Sequence, residues 1–148
     1  MAMTMSGEFV LPADKATVWA RLNDAATLKA SIPGCESLEK LSDTELQAAV
    51  KVKIGPVKAR FKGKVRLTDL DPPNGYKISG EGDGGIAGFA KGGASVTLTE
   101  KDGGTLLTYN VEAQIGGKLA QLGQRLVNGA AKKLADDFFV RFAAAVKN

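Results

Sequence analysis

The chain has 148 residues, 44% hydrophobic and 24% charged, with a formal charge of +4 and no histidine. That size suits one domain (1–148) with one sizeable core, and the composition excludes disordered and fibrous classes. The missing histidines exclude Ser-His and Cys-His nucleophiles and every histidine metal site, and the single cysteine, Cys35, excludes an internal disulfide.

Residues 1–10 lack the positive start and apolar core of a secretory signal, and no apolar run reaches the roughly 20 residues of a membrane span. A reducing, cytoplasmic setting is expected, with any membrane contact peripheral at the inner face. Met3, Met5, Phe9 and Leu11 mark an extended start that Pro12 stops. Asp14 is the expected N-cap of a helix over 15–22, with Ala16, Trp19 and Leu22 on one face. A second short helix is predicted over 24–30, ending before Ile32-Pro33-Gly34.

From Cys35 to Ile115 the apolar period is two. Leu46, Ala48, Val50, Val52 and Ile54 alternate with polar neighbours, as do Val57, Ala59, Phe61, Val65 and Leu67. Leu107, Tyr109, Val111, Ala113 and Ile115 do so again. Gly55-Pro56, the run Asp71 to Gly75 and the run Lys101 to Gly104 are turn signals, which makes the middle a meander of about six strands. From Gly117 the period returns to 3.6, and Leu119, Leu122, Leu126, Ala130, Leu134, Phe138 and Phe142 form a stripe on one amphipathic helix of about 30 residues. The expected fold class is α+β, a helix-grip fold. A curved antiparallel sheet of about seven strands wraps around a long C-terminal helix, with two short helices after strand 1.

Several runs carry a family resemblance: Ile32 to Leu38, Val52 to Gly63, Asp69 to Gly75, Gly80 to Gly82 leading to Gly88-Phe89, and Gly116 to Gly123. Over nearly its whole length the chain resembles the CoxG family of carbon monoxide dehydrogenase proteins, within the START-like and Bet v 1-like superfamily. The resemblance implies an accessory role for a molybdenum-containing carbon monoxide dehydrogenase or related hydroxylase, and an apolar ligand cavity. A quinone or a lipid is the expected class of bound molecule.

The inner strand and helix faces supply the lining candidates Trp19, Phe61, Phe89, Tyr109, Leu122, Leu126 and Phe138. Each is as well suited to plain core packing, while the small residues opposite them leave volume unfilled. Tyr109 would supply a polar contact for a ligand oxygen. Seven glycines between Gly80 and Gly93 mark either sheet curvature or a flap at the cavity mouth with Phe89 as plug. Gly80-x-Gly82-x-x-Gly85 matches a dinucleotide fingerprint in form only, since no helix follows it.

Lys51, Lys53, Lys58, Arg60, Lys62, Lys64 and Arg66 share the polar phase of two consecutive strands. A turn at Gly55-Pro56 sets Lys53 opposite Lys58 and Lys51 opposite Arg60, with Glu81 and Asp83 as expected compensation. This is a solvated face or a docking surface for an acidic protein or anionic headgroups. Without interleaved aromatics it is no nucleic-acid surface. Two further readings stay open: a cavity enzyme of the polyketide cyclase or hydrolase type, and a structural assembly factor with a filled core.

Overall fold

The computed structural model describes residues 1–147. The chain runs β1 (Ala2–Leu11), α1 (Lys15–Leu22), α2 (Ala25–Ser31), β2 (Cys35–Lys40), β3 (Glu45–Ile54), β4 (Val57–Asp71) and β5 (Gly75–Asp83). After a 3-10 turn (Gly85–Ala87) come β6 (Phe89–Lys101), β7 (Gly104–Gly116), α3 (Lys118–Gln121) and α4 (Gln124–Val146). The seven strands form one antiparallel sheet in the order β1-β7-β6-β5-β4-β3-β2. This is the α+β helix-grip architecture expected from the pattern of periods.

Local chemistry sets the element ends. The Asp14 carboxylate accepts from the Thr17 N–H at 2.8 Å, and Asp24 accepts from the Thr27 N–H at 3.2 Å. Each cap satisfies a backbone donor that the first helical turn leaves without a partner. Helix α1 buries Val18 and Leu22, whereas Ala16 is exposed and Trp19 half-buried. The expected Ala16-Trp19-Leu22 face is therefore rotated toward an i, i+4 pair that packs on the main core.

The long C-terminal helix is in fact two helices. Gly123 breaks it with φ +91, in the left-handed region that glycine enters without a Cβ penalty. The break resets the helical phase. Val127, Phe139, Phe142 and Val146 are buried on α4, while Leu126 falls off the stripe and stays 42% exposed.

Two apolar clusters result. The larger joins Leu11, Val18, Leu98, Leu107 and Phe142; the smaller joins Met3, Ile115, Leu119 and Val127. Half-buried Val111 packs against both. Helix α4 contacts β1, α2 and β3, and its Phe139, Phe142 and Val146 join Leu67 of β4, Tyr76 of β5 and Leu98 of β6 in one buried cluster.

Candidate functional site

The inner face of the central strands is floored by small residues. Cross-strand pairing aligns Ala48, Gly63, Gly82 and Ala90 in one row, and Gly80, Gly92 and Ala113 in the next. At Gly92 a Cβ would collide with the Glu112 carbonyl oxygen of β7. Only glycine permits that approach of two backbones, so the glycine run serves sheet curvature. The same lack of side chains leaves this part of the inner face flat.

Around this floor the inward apolar residues are half-buried: Val50, Val52, Phe61 and Val65 on β3 and β4, Ile78 on β5, and Val111 on β7. Ala131, Ala135 and Phe138 face them from α4. A filled core would bury such side chains fully. Their partial exposure leaves this part of the inner face less tightly covered than the buried cluster around Phe142.

At one end of the sheet the β3–β4 turn, the 3-10 turn and the α3–α4 break converge. A Cβ on Gly55 would lie 3.1 Å from the Leu126 side chain, a Cβ on Gly84 would lie 2.7 Å from the Phe61 ring, and Gly88 backs against Gly117. Ile86 at the tip of the 3-10 turn is 85% exposed.

The lining candidates separate on this geometry. Phe61 and Leu122 belong to the smaller cluster, while Trp19, Tyr109 and Phe138 belong to the larger one. Leu126 lies beside the β3–β4 turn. Phe89 is misplaced by one strand phase: Ala90 points inward, and Phe89 lies over Gly116 on the outer face, 49% exposed. It cannot plug the mouth from there.

One buried polar side chain on the inward phase of β5 is Tyr76, which the sequence pattern alone does not single out. It follows the Asn74-Gly75 turn on the inward phase with Ile78 and Gly80. It is buried, and its ring meets the Trp19 ring edge-on with centroids 5.3 Å apart. Among the described residues no hydrogen bond reaches its hydroxyl. No side-chain oxygen there is both fully buried and unpartnered, so the Tyr76 oxygen keeps some accessible surface. Burial alone pushes its phenol up to about 12. Tyr109 is different. Its pKa is raised by burial first and then by the Asp136 carboxylate, partly offset by Lys132. Its hydroxyl is therefore on the α4 flank near those charges.

The outer face carries the cations. The register sets Lys53 opposite Lys58 and Lys51 opposite Arg60, as expected. The compensating acid is not the expected one. Glu36 of β2 forms an ion pair with Arg60 at 2.7 Å and lies 3.6 Å from Lys51. Glu45 pairs with Arg66 at 3.1 Å. Asp83 and Glu81 stand beside Lys62 and Lys64 in register, but no ion pair forms among them, and Asp83 accepts from the Gly85 N–H at 2.7 Å instead. Lys53, Lys58, Lys62 and Lys64 thus remain unpaired among the described residues.

Two concavities, about 1010 and 710 Å³, lie on this outer face between long charged side chains. Neither is lined by a residue of α4. Both are open to solvent, with lysines and acids such as Lys62, Glu81, Lys91 and Glu112 set among small and apolar residues, which suits contact with a surface better than enclosure of an apolar molecule. Cys35 donates its thiol hydrogen to the Ser37 carbonyl at 3.3 Å, and burial raises its pKa, the opposite of an activated nucleophile. Asp136 and Asp137 each hold a lysine one turn earlier, Lys132 at 3.0 Å and Lys133 at 2.8 Å, on a wet helix face. No helix among the described residues is long and apolar enough to cross a membrane.

Comparison with known proteins agrees with the sequence pattern. The model of the carbon monoxide dehydrogenase CoxG family matches residues 7–147. A conserved protein from Geobacillus kaustophilus has the same fold with a TM-score of 0.91 and 34% identity, over 97% of this chain and 95% of that one. Two more distant structures share the fold alone. The ZhuI aromatase/cyclase from a Streptomyces has a TM-score of 0.72 at 10% identity, covering 99% and 94%. Ara h 8.0201 has a TM-score of 0.68 at 16% identity, covering 99% and 98%. No curated protein matches the chain. The chain belongs to the CoxG family and has the START-like and Bet v 1-like fold.

Proposed function

We propose that this CoxG-family chain is a binding protein, not an enzyme. It holds an apolar ligand with a polar head, quinone- or lipid-like, between its sheet and α4. In that role it serves a molybdenum-containing carbon monoxide dehydrogenase or related hydroxylase, in assembly or in recruitment to the inner face of the membrane. The carrying observation is the half-exposed apolar lining over a floor of glycine and alanine. Such a space is stable when a ligand supplies the contacts that the side chains do not.

The cations left unpaired by the outer-face register, Lys53, Lys58, Lys62 and Lys64, suit docking onto an acidic partner surface. The cyclase reading needs an acid or base inside the space. The inward phases of the central strands offer two tyrosines, Tyr76 and Tyr109, and no carboxylate among the described residues. That favours binding over turnover.

The test is mass spectrometry of the organic extract from natively purified protein and from an Ala131→Phe variant, which fills the space from the helix side. A stoichiometric apolar molecule present in the first sample and depleted in the second is expected. Empty extracts from both, with no uptake of added quinones or phospholipids, would sink the reading.

A further inference from the structure

We propose that the end of the molecule built from the β3–β4 hairpin, the 3-10 turn and the α3–α4 break is a docking tip for an anionic phospholipid bilayer. Ile86 enters the acyl boundary, and Lys53, Lys58, Lys118 and Arg125 rest on the headgroups. The inference deepens the recruitment role proposed above by naming the surface and the lipid charge, and it needs no bound ligand.

Three observations carry it. The first is an apolar apex. Of the seven large hydrophobic side chains exposed among the described residues, Ile86, Phe89 and Leu126 belong to this end, and Ile86 is the most exposed of all at 85%. Its turn contacts β4 and α3, and a Cβ on the adjacent Gly85 would meet nothing within 4 Å, so the turn faces outward. Leu126 lies against Gly55 of the hairpin, and the Phe89 ring covers Gly116. One exposed isoleucine is ordinary, but three apolar side chains on one end fit contact with an apolar medium.

The second is the charge around that apex. The segments Leu46 to Thr68 and Ala113 to Ala135 contain no acid. Lys53, Lys58, Lys118 and Arg125 are exposed and form no ion pair among the described residues. Asp83, the acid that precedes the 3-10 turn, accepts from the Gly85 N–H.

The third is how the register treats like charges. Lys51 and Arg60 face each other, and Glu36 pairs with both. Lys62 and Lys64 stand beside Asp83 and Glu81. Lys53 and Lys58 face each other where the hairpin runs past both neighbours, since pairing with β2 stops at Val50 and pairing with β5 stops at Lys62. Opposed like charges cost stability, and an anionic surface neutralises both at once. A bilayer also takes up Ile86, whereas an acidic protein surface would set it against charge.

The experiment sediments the purified full chain with vesicles of phosphatidylcholine alone and of phosphatidylcholine with about one-third phosphatidylglycerol. In a Cys35→Ser background, which removes the single cysteine, Ile86→Cys and Val140→Cys each carry a nitrobenzoxadiazole label. Val140 is also exposed but stands about 21 Å along α4 from Leu126. The expected result is binding to the anionic vesicles, weakened roughly tenfold or more on phosphatidylcholine alone or in about 1 M salt. The label at position 86 should brighten and shift to the blue, and the label at 140 should not. Lys53→Gln with Lys58→Gln should weaken binding roughly tenfold or more, and Ile86→Ser roughly three- to tenfold. These side chains are exposed, and melting followed by circular dichroism checks that the variants stay folded. Anionic-vesicle binding with the label at 86 unmoved, or with the lysine variant unaffected, would put the contact elsewhere and overturn the inference while recruitment stands. Equal binding to phosphatidylcholine alone would overturn the choice of an anionic surface. No sedimentation with either vesicle would overturn the inference together with membrane recruitment, and would leave the ligand reading to its own test.

Discussion

Gly7 lies directly beneath the Tyr109 ring, so close that a Cβ built on it would stand 2.7 Å from the Tyr109 hydroxyl oxygen. The ring is fixed from the other side by Phe139, stacked at 5.5 Å, which in turn stacks on Phe9 at 4.4 Å. Tyr109 therefore has little room to yield. Gly7→Ala is expected to cost about 1–3 kcal/mol through overpacking and to lower the melting midpoint by about 3–10 °C. Thermal unfolding followed by circular dichroism measures this. Most of the loss should disappear in a Tyr109→Leu background, and an equal loss there would mean that the ring is not the obstacle.

Glu36 holds Arg60 and Lys51 together although these two cations face each other across β3 and β4. The pairs are largely exposed, so solvent screens them. Glu36→Gln leaves two like charges opposite one another and is expected to lower stability by under about 1 kcal/mol in dilute buffer. In about 1 M salt, where the screening length is about 3 Å, the effect should vanish. Urea titrations at both salt levels decide it; a loss unaffected by salt would assign Glu36 a packing role.

The alternation that marks the sheet also fixes the β3–β4 register, because Gly55-Pro56 leaves only one pairing in which both apolar sets face inward. Phase fails where a strand begins after glycines: nothing in Gly84-Gly85-Ile86-Ala87-Gly88 states whether Phe89 or Ala90 turns inward. Tyr76 is legible in principle, since it follows a turn signal two residues before Ile78, but a tyrosine beside a turn reads as surface. Glu36 is not legible as the partner of Arg60, because the long-range pairing of β2 has no local signal. The apolar stripe of the C-terminal segment runs across Gly123 in the sequence, where helix periodicity cannot register a left-handed residue.

That residue yields a direct test. Nothing stands within 4 Å of a Cβ on Gly123, yet its φ is +91. Gly123→Ala is expected to cost about 1–2 kcal/mol from backbone strain alone, with no steric contribution. Gly129, also without neighbours around its Cβ position but inside α4, should behave oppositely. Gly129→Ala is expected to stabilise by about 0.5–1 kcal/mol. Chemical unfolding of the two variants side by side measures the contrast, and a stabilised Gly123→Ala would mean that α3 and α4 can fuse.

Tyr76 gives the pH dependence its sign. Burial raises the folded-state pKa of its phenol from the ordinary value near 10 to about 12. Between these values the unfolded chain loses the proton while the folded chain keeps it, so the unfolded state binds fewer protons and stability falls as pH rises. The contribution is fully present below about pH 10 and is lost by about pH 12, with an order of magnitude of 2–3 kcal/mol. Tyr109, whose pKa is also raised, adds to the fall in the same direction. Tyr76→Phe removes the larger share of it. Urea midpoints of the parent chain and Tyr76→Phe at pH 8 and at pH 11 are expected to diverge at the higher pH, with the variant the more stable there. Parallel midpoints would mean that the Tyr76 hydroxyl reaches bulk water.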